Sequence, residues 1–265
     1  MKRTFQVVLI WLTVLIVISC NIYVYLQPSN ELTTSQILDL HPNLLMPASY
    51  TSGIWIFIFL LHILHASYST YIYFRKTETW CPLSVLTEKM NRWFLLAGLL
   101  NVGWVLTWHN QQYGWSLFFS SALYLTLMAA FARLTKSERT LQLTYFQHVS
   151  LETPFIIYIA WLTFVFLSNL TVYLYSIGQV ELVSNSLGYT VSMIILATIL
   201  ALIQAFYFKR PAFAAVIVWA LIGIYVQQHN GSFSQVGYIA LAAILLCLVA
   251  SVISFWRKRS LLYVR

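Results

Sequence analysis

The chain has 265 residues, of which 60% are hydrophobic and only 8% are charged. A soluble domain carries roughly 25% charged residues, so this composition excludes a soluble domain and indicates an integral membrane protein. The formal net charge of +8 would suggest nucleic acid in a soluble protein, but here the basic residues lie between apolar runs. We therefore expect the lipid bilayer as a partner, and no nucleic acid.

Apolar runs follow one another along the chain, and a helix of about 20 residues is long enough to cross a bilayer. Eight such runs are present: Phe5–Leu26, Thr51–Phe74, Trp93–His109, Gly114–Leu134, Pro154–Tyr175, Leu187–Phe208, Ala212–Val226 and Gln235–Trp256. The sequence therefore predicts an all-α integral membrane protein with eight transmembrane helices.

The first run has an alternative interpretation. Its Lys2-Arg3 start and its Val17-Ile18-Ser19-Cys20 segment resemble a bacterial lipoprotein signal with a modified cysteine. The apolar stretch continues to Leu26, however, which is longer than the apolar region of a signal peptide requires. This length favours a retained membrane span, and cleavage would leave seven spans.

The basic residues predict the topology. All 15 lie before the first run, after the eighth, or in or at the edge of every second loop between them: Lys2, Arg3, Arg75, Lys76, Lys89, Arg92, Arg133, Lys136, Arg139, Lys209, Arg210, Arg257, Lys258, Arg259 and Arg265. The loops 27–50, 109–113, 176–186 and 227–234 contain none. Because Lys and Arg concentrate on the cytoplasmic side, we expect a multi-pass protein of the cell membrane with both termini in the cytoplasm.

The longest loop on the opposite side is 27–50, where Thr34 or Ser35 fits the N-cap of a short helix through Leu40. Four apolar side chains indicate that it packs on the bundle: Ile37, Leu40, Leu44 and Leu45. Such a loop suits an extracytoplasmic lid better than a tether.

The second run carries polar and aromatic residues on one helical face. Trp55, Phe59, His62, Ala66 and Ser69 recur at helical spacing. Because lipid offers no partner for an imidazole, this face should point into a helix bundle.

The third and fifth runs carry similar faces. Asn101 lies near mid-membrane with Trp104 on its face, and it serves either as a helix-to-helix hydrogen-bonding residue or as a polar group of a pocket. Tyr158 and Trp161 fit either interface anchors or the bundle interior, with Asn169 beside their stripe. Trp161 lies on the order of 10 Å below the start of its helix, which favours the interior.

No catalytic set is visible, and the spans contain no Asp or Glu. GxSxG, HExxH and phosphate-loop motifs are missing, so we expect no enzymatic activity. The cysteines Cys20, Cys81 and Cys247 are too far apart to indicate a metal site. His62 and His65 lie on one helix, whereas axial haem ligation needs two facing helices. A hydrogen-bonded structural role or proton sensing by His62 are the alternatives.

The alternating direction of the spans places six residues in the outer half of the membrane: Tyr50, Trp55, Trp104, Trp108, Asn169 and Tyr173. His62 and Asn101 lie near the midplane below them. If these faces converge, they outline an aromatic-walled cavity with a polar floor beneath the loop 27–50. A flat, mostly apolar ligand with a few polar groups would suit such a cavity.

Several motifs carry a family resemblance. They are Pro28-x-Asn30-x-x-Thr33-Thr34, Pro47-Ala48-x-Tyr50, Ile54-Trp55, Leu100-Asn101-x-x-Trp104, Pro154-Phe155-x-x-Tyr158-x-x-Trp161 with Asn169, and Trp219-Ala220-Leu221-x-Gly223. In order and spacing the chain resembles the extended, eight-span branch of the TspO/MBR family, the tryptophan-rich sensory proteins. Ser52 and His62 depart from the family pattern, which often has Phe and an apolar residue there.

The resemblance implies a TspO-like five-helix bundle in residues 1–180 and a three-helix C-terminal addition in residues 181–265. It also implies a bacterial membrane binder or sensor of a tetrapyrrole or porphyrin, linked to stress or redox regulation. The expected ligand-binding residues are Tyr50, Trp55, His62, Asn101, Trp104, Tyr158, Trp161 and Asn169.

Two other functions stay open from the sequence. A small-molecule permease or facilitator would need openings on both sides of the membrane, and a structural subunit would need no pocket. The expected partners are lipid and a hydrophobic small molecule, with a second copy of the chain as a further candidate. We expect no resident cofactor beyond a tetrapyrrole ligand, and no metal.

Overall fold

The computed structural model describes residues 3–26, 36, 40–41, 43–75, 82–141, 143–183 and 186–262. These ranges form ten α-helices, no strand, and one 3-10 helix, Ser49–Gly53. The α-helices are α1 (Arg3–Leu26), α2 (Ile54–Phe74), α3 (Pro82–His109), α4 (Tyr113–Leu141), α5 (Tyr145–Leu151), α6 (Thr153–Ser176), α7 (Val180–Val183), α8 (Leu187–Phe206), α9 (Pro211–Gln228) and α10 (Ser234–Leu262). The prediction of an all-α protein is confirmed.

Seven helices of the described ranges are long and apolar enough to cross a membrane: α1, α2, α4, α6, α8, α9 and α10. The predicted third span lies within α3, which is 28 residues long but is not among these seven. Its first half carries Glu88, Lys89 and Arg92, and its second half buries Asn101 and His109. Charged residues of the first half and buried polar residues of the second half thus both lower the hydropathy of α3.

Large apolar side chains cover the outside of these helices. Examples are Leu12, Leu15 and Ile16 on α1, Ile56 and Leu60 on α2, and Leu245, Leu246 and Val249 on α10, all of them exposed. Exposure of so much apolar surface to water is unfavourable by roughly 25 cal/mol per Å². These side chains face lipid in a multi-span membrane protein.

The helices pack into two compact units. The first unit contains residues 1–34 and 54–159, in which α3 packs against α1 and α4. Gly98 of α3 allows the close approach of α1, because a Cβ atom there would lie 2.1 Å from Cγ2 of Thr13. A glycine at this position is therefore required by packing.

The second unit contains residues 35–53 and 160–265, and its helices α8, α9 and α10 pack against one another. Residues 43–53, which we name the docking segment, lie along α9. Three hydrogen bonds join the two: Ala48 N to Gly223 O (3.0 Å), Trp219 Nε1 to Thr51 O (3.0 Å) and Gln228 Nε2 to Leu44 O (3.3 Å). The Trp219-to-Gly223 motif of the sequence is thus the surface on which this segment lies.

The packing units are not the same as the predicted division at residue 180. The second unit includes the docking segment and everything after Ile159. The predicted division concerns the relation of the sequence to its family, and it stays a prediction. Most of the predicted lid, and its short helix from Thr34 or Ser35, fall on residues outside the described ranges.

A short helix that the sequence did not predict precedes α6. Helix α5 begins with a capping box, in which Thr144 N donates to Gln147 Oε1 (2.8 Å) and Gln147 N donates to Thr144 Oγ1 (3.4 Å). Such reciprocal bonds satisfy donors that a helix start leaves free. Glu152 at its end lies 2.6 Å from Nδ1 of His148.

Candidate functional site

Aromatic side chains from α2, α3 and α6 meet inside the first unit. The ring of Trp55 stacks on that of Trp104 with centroids 5.6 Å apart, and it lies edge-on to Tyr158 at 6.0 Å. Phe59, one turn further along α2, stacks on Trp55 with centroids 5.9 Å apart. Pairs at these separations contribute about 0.5–1.5 kcal/mol each beyond their buried area. We name Trp55, Phe59, His62, Phe94, Trp104 and Tyr158 the aromatic cluster.

His62 belongs to this cluster and is almost fully buried. Its ring lies edge-on to Phe94 at 5.0 Å and to Tyr158 at 5.2 Å, and only 5% of its surface is exposed. No hydrogen-bond partner for its Nδ1 atom is found among the described residues. A buried polar atom left without a partner costs about 1–3 kcal/mol. The imidazole therefore has an unused hydrogen-bonding position inside the bundle.

Asn101 joins three helices through its side-chain amide. Its Nδ2 donates to Oη of Tyr158 on α6 at 2.7 Å, and its Oδ1 accepts from Nδ2 of Asn21 on α1 at 3.2 Å. Asn101 therefore forms hydrogen bonds between helices, which is one of the two roles predicted for it. Its contact with a ligand stays a prediction.

A cavity lies beside the aromatic cluster, and residues of α1, α2, α3, α4 and α6 line it. Its polar lining consists of Thr13, His62, Asn101 and Tyr158. The volume open to water is about 10 Å³, which is room for roughly one water molecule. Pockets for drug-sized ligands measure roughly 300–1,000 Å³. A larger ligand would therefore have to move side chains of the cluster.

The eight predicted binding residues fall into three groups. His62, Asn101 and Tyr158 line the cavity, and Trp55 and Trp104 stack in the aromatic cluster next to it. The remaining three, Tyr50, Trp161 and Asn169, belong to the second unit. There Tyr50 packs edge-on against Trp219 at 5.5 Å, Trp161 is buried, and Nδ2 of Asn169 donates to Val165 O at 2.8 Å. The ligand contacts of all eight stay predictions.

The sequence did not reveal that α1 is a wall of this cavity. Thr13 and Val17 of α1 line it together with the small pair Ala97-Gly98 of α3 and Leu127 of α4. The small pair was the only available signal, because close helix contacts in membranes favour small residues. The apolar pattern of α1 does not say which neighbour it meets.

A second, more polar cavity lies among α1, α2 and α3 of the same unit. About 30 Å³ of it is open to water, and its lining includes Gln6, Ser69, Glu88 and Asn91. Ser69 Oγ donates to Asn91 Oδ1 at 2.9 Å, and Glu88 pairs with Arg92 at 2.7 Å. These polar groups are hydrogen-bonded to one another, and the volume of the cavity is sufficient for a few water molecules.

The histidines of α2 are arranged differently from each other. Nδ1 of His65 lies 3.2 Å from Ser150 O of α5, and its ring packs against Phe94 and Phe155. In the described ranges, no three His, Cys, Asp or Glu side chains lie close enough together to hold a metal ion.

The fold and the cluster define a multi-span, all-α membrane protein with an aromatic-walled cavity in a helix bundle. The chain matches the family described as TSPO-like protein over residues 7–254, and it belongs to that family. The resemblance noted from the motifs is thereby confirmed. Comparison with curated proteins and comparison with solved structures gave no match.

Proposed function

We propose that the protein binds a hydrophobic, planar ligand of the tetrapyrrole type within the first unit and acts as a membrane sensor of that ligand. The observation that carries this proposal is the aromatic cluster, whose stacked rings lie beside a cavity that is lined by an unused polar atom of His62. Family membership supports it further.

The small volume of the cavity means that the cluster must open when such a ligand binds. We expect the cluster to open between the stacked rings of Trp55 and Trp104, because Trp55 is only partly buried whereas Trp104 is buried. A planar ligand between the two rings would replace one ring contact with two contacts of similar energy. The gain offsets part of the cost of moving the side chains.

The proposal includes a location and a role. The basic residues support a protein of the cell membrane with both termini in the cytoplasm, and the resemblance to the extended branch of the family supports a bacterial one. A receptor that regulates a response to stress or redox conditions fits a ligand pocket without a catalytic set. No enzymatic step is part of the proposal.

A porphyrin titration tests the proposal. Purified protein in lipid nanodiscs is titrated with protoporphyrin IX, and the Soret absorbance is followed together with tryptophan quenching. Trp104→Ala should weaken binding about 3- to 10-fold, which corresponds to the loss of one stacking contact. Trp115→Ala is the matched control, because Trp115 is 61% exposed on α4 and does not line the cavity.

Saturable binding that is weakened by Trp104→Ala but not by Trp115→Ala is the expected result. Uptake of porphyrin that does not saturate, or equal affinity of both variants and the wild type, would overturn the proposal. Empty nanodiscs give the background from partition into lipid.

A second candidate function is that of a structural membrane subunit without a ligand. The volume of the cavity, about 10 Å³, is the observation that favours it. It predicts no saturable binding in the same titration. A permease is separated from both by proteoliposomes, in which a transported ligand would cross the membrane with a rate proportional to the protein content.

A further inference from the structure

The imidazole of His62 has hydrogen-bonding capacity that the protein itself does not use. The residue lines the cavity, is 5% exposed, and has no partner for Nδ1 in the part of the chain that is described. Its nearest rings, Phe94 and Tyr158, contact it edge-on and fix its position without satisfying this atom. A ligand in the cavity can supply the missing partner.

The other polar side chains that line the cavity, Thr13, Asn101 and Tyr158, already make hydrogen bonds. Asn101 is bonded at both ends of its amide, and Ser69 donates to Asn91. The cavity therefore offers a ligand one open polar position at His62, among walls that are otherwise apolar or already bonded.

We infer that the ligand presents an O–H group, of a carboxylic acid or an alcohol, to Nδ1 of His62, while its apolar body lies against the aromatic cluster. The inference rests on the proposed function and names the chemistry of its ligand. An O–H group fits either tautomer of a neutral imidazole, because it can donate to a bare nitrogen and its oxygen can accept from an N–H. A ligand with only hydrocarbon at this point would leave the nitrogen unpaired.

The lining also selects the charge state of that group. It contains no Asp, Glu, Lys or Arg, so an ionised carboxylate would be buried without a counter-charge. The neutral acid or the alcohol is therefore the form that binds. Before the ligand arrives, one water molecule fits the cavity and can serve the same nitrogen.

Two probes and two variants test this inference. Protoporphyrin IX carries two carboxyl groups, whereas etioporphyrin has the same macrocycle with alkyl groups only. His62→Leu removes the polar atom, and His62→Asn keeps a polar atom close to the position of Nδ1. Both porphyrins are titrated into wild type and variants in nanodiscs, and each variant is compared with the wild type so that partition into lipid cancels.

We expect His62→Leu to weaken protoporphyrin IX binding about tenfold and to leave etioporphyrin binding within about twofold, with His62→Asn between leucine and wild type. Retained etioporphyrin binding shows that the leucine variant is folded; if it is lost, the asparagine variant decides by the same comparison. An unchanged ratio of the two affinities in the variants would overturn the inference while saturable binding of both porphyrins upholds the proposed function. Absence of saturable binding of either porphyrin to the wild type would overturn both.

Discussion

At the scale of single residues, the interior of the first unit is held by polar pairs that link helices. Asn21, Asn101 and Tyr158 connect α1, α3 and α6, and Ser69 bonds Asn91 between α2 and α3. Such bonds in membrane bundles contribute on average about 0.6 kcal/mol and up to about 2 kcal/mol. These residues therefore stabilise the bundle whether or not a ligand binds.

The bond between Asn101 and Tyr158 should be measurable as a coupling energy. Tyr158→Phe removes the acceptor of the 2.7 Å bond, so we expect a destabilisation of about 1–2 kcal/mol. Asn101→Leu and the double variant complete a cycle, measured by unfolding in detergent. Additive effects of the two substitutions would show that the bond contributes nothing.

Gly98 should be intolerant of a side chain because of Thr13. Gly98→Ala places a Cβ atom 2.1 Å from Cγ2 of Thr13, and Thr13 is held by its bond to Leu9 O at 2.9 Å. We expect the free energy of unfolding to fall by about 1–3 kcal/mol, which is measured as a lower thermal midpoint. Thr13→Ser removes that methyl group and keeps the hydroxyl, so the double variant should recover most of the loss. If it recovers none, the contact is not the cause.

At the scale of elements, the last three helices have a structural role within their own unit, which is to bind the docking segment. Helix α9 presents Gly223 to the docking segment, so that Ala48 N reaches the Gly223 carbonyl at 3.0 Å. Trp219 covers the segment with a hydrogen bond and a ring contact to Tyr50. The C-terminal helices therefore hold the docking segment in place within the second unit.

Gly223→Ala tests whether the docking segment depends on close contact with α9. A Cβ atom would lie 2.2 Å from Cγ2 of Thr51 and 2.9 Å from Cβ of Pro47, so the docking segment would have to move away. Alanine normally stabilises a helix by about 1 kcal/mol over glycine, and a lower thermal midpoint would therefore report the lost docking. Gly188→Ala on α8, where nothing lies within 4 Å, is the control. Equal midpoints for the two variants would contradict the proposed docking.

At the scale of the whole molecule, the features that could not be predicted from the sequence are those that depend on contacts between distant parts of the chain. Apolar runs predicted seven spans well, because lipid-facing and buried side chains are both apolar. Helix α3 differs because its charged residues, and the buried Asn91 and Asn101 that pair with other helices, all lower its hydropathy. The wall formed by Thr13 and the docking on Gly223 depend on which helices are neighbours, and periodicity within one helix does not contain that information.

The proposed orientation of the chain can be tested with single cysteines. Glu181 in the short helix α7 and Tyr207 just after α8 are exposed, and they lie on opposite sides of the predicted topology. With Cys20, Cys81 and Cys247 replaced by serine, Glu181→Cys should react with a membrane-impermeant maleimide in intact cells, and Tyr207→Cys only after permeabilisation. The reverse pattern would invert the topology, and labelling of both sites in intact cells would change the number of spans between them.

The most direct test of the central claim is to locate the bound porphyrin by its own photochemistry. Illumination of the protoporphyrin complex generates singlet oxygen, which oxidises nearby Trp and His side chains, and mass spectrometry maps the modified residues. We predict early modification of Trp55, Trp104 and His62, ahead of the lipid-exposed Trp115. Modification that follows exposure to lipid alone, with Trp115 first and the aromatic cluster intact, would contradict binding in the first unit.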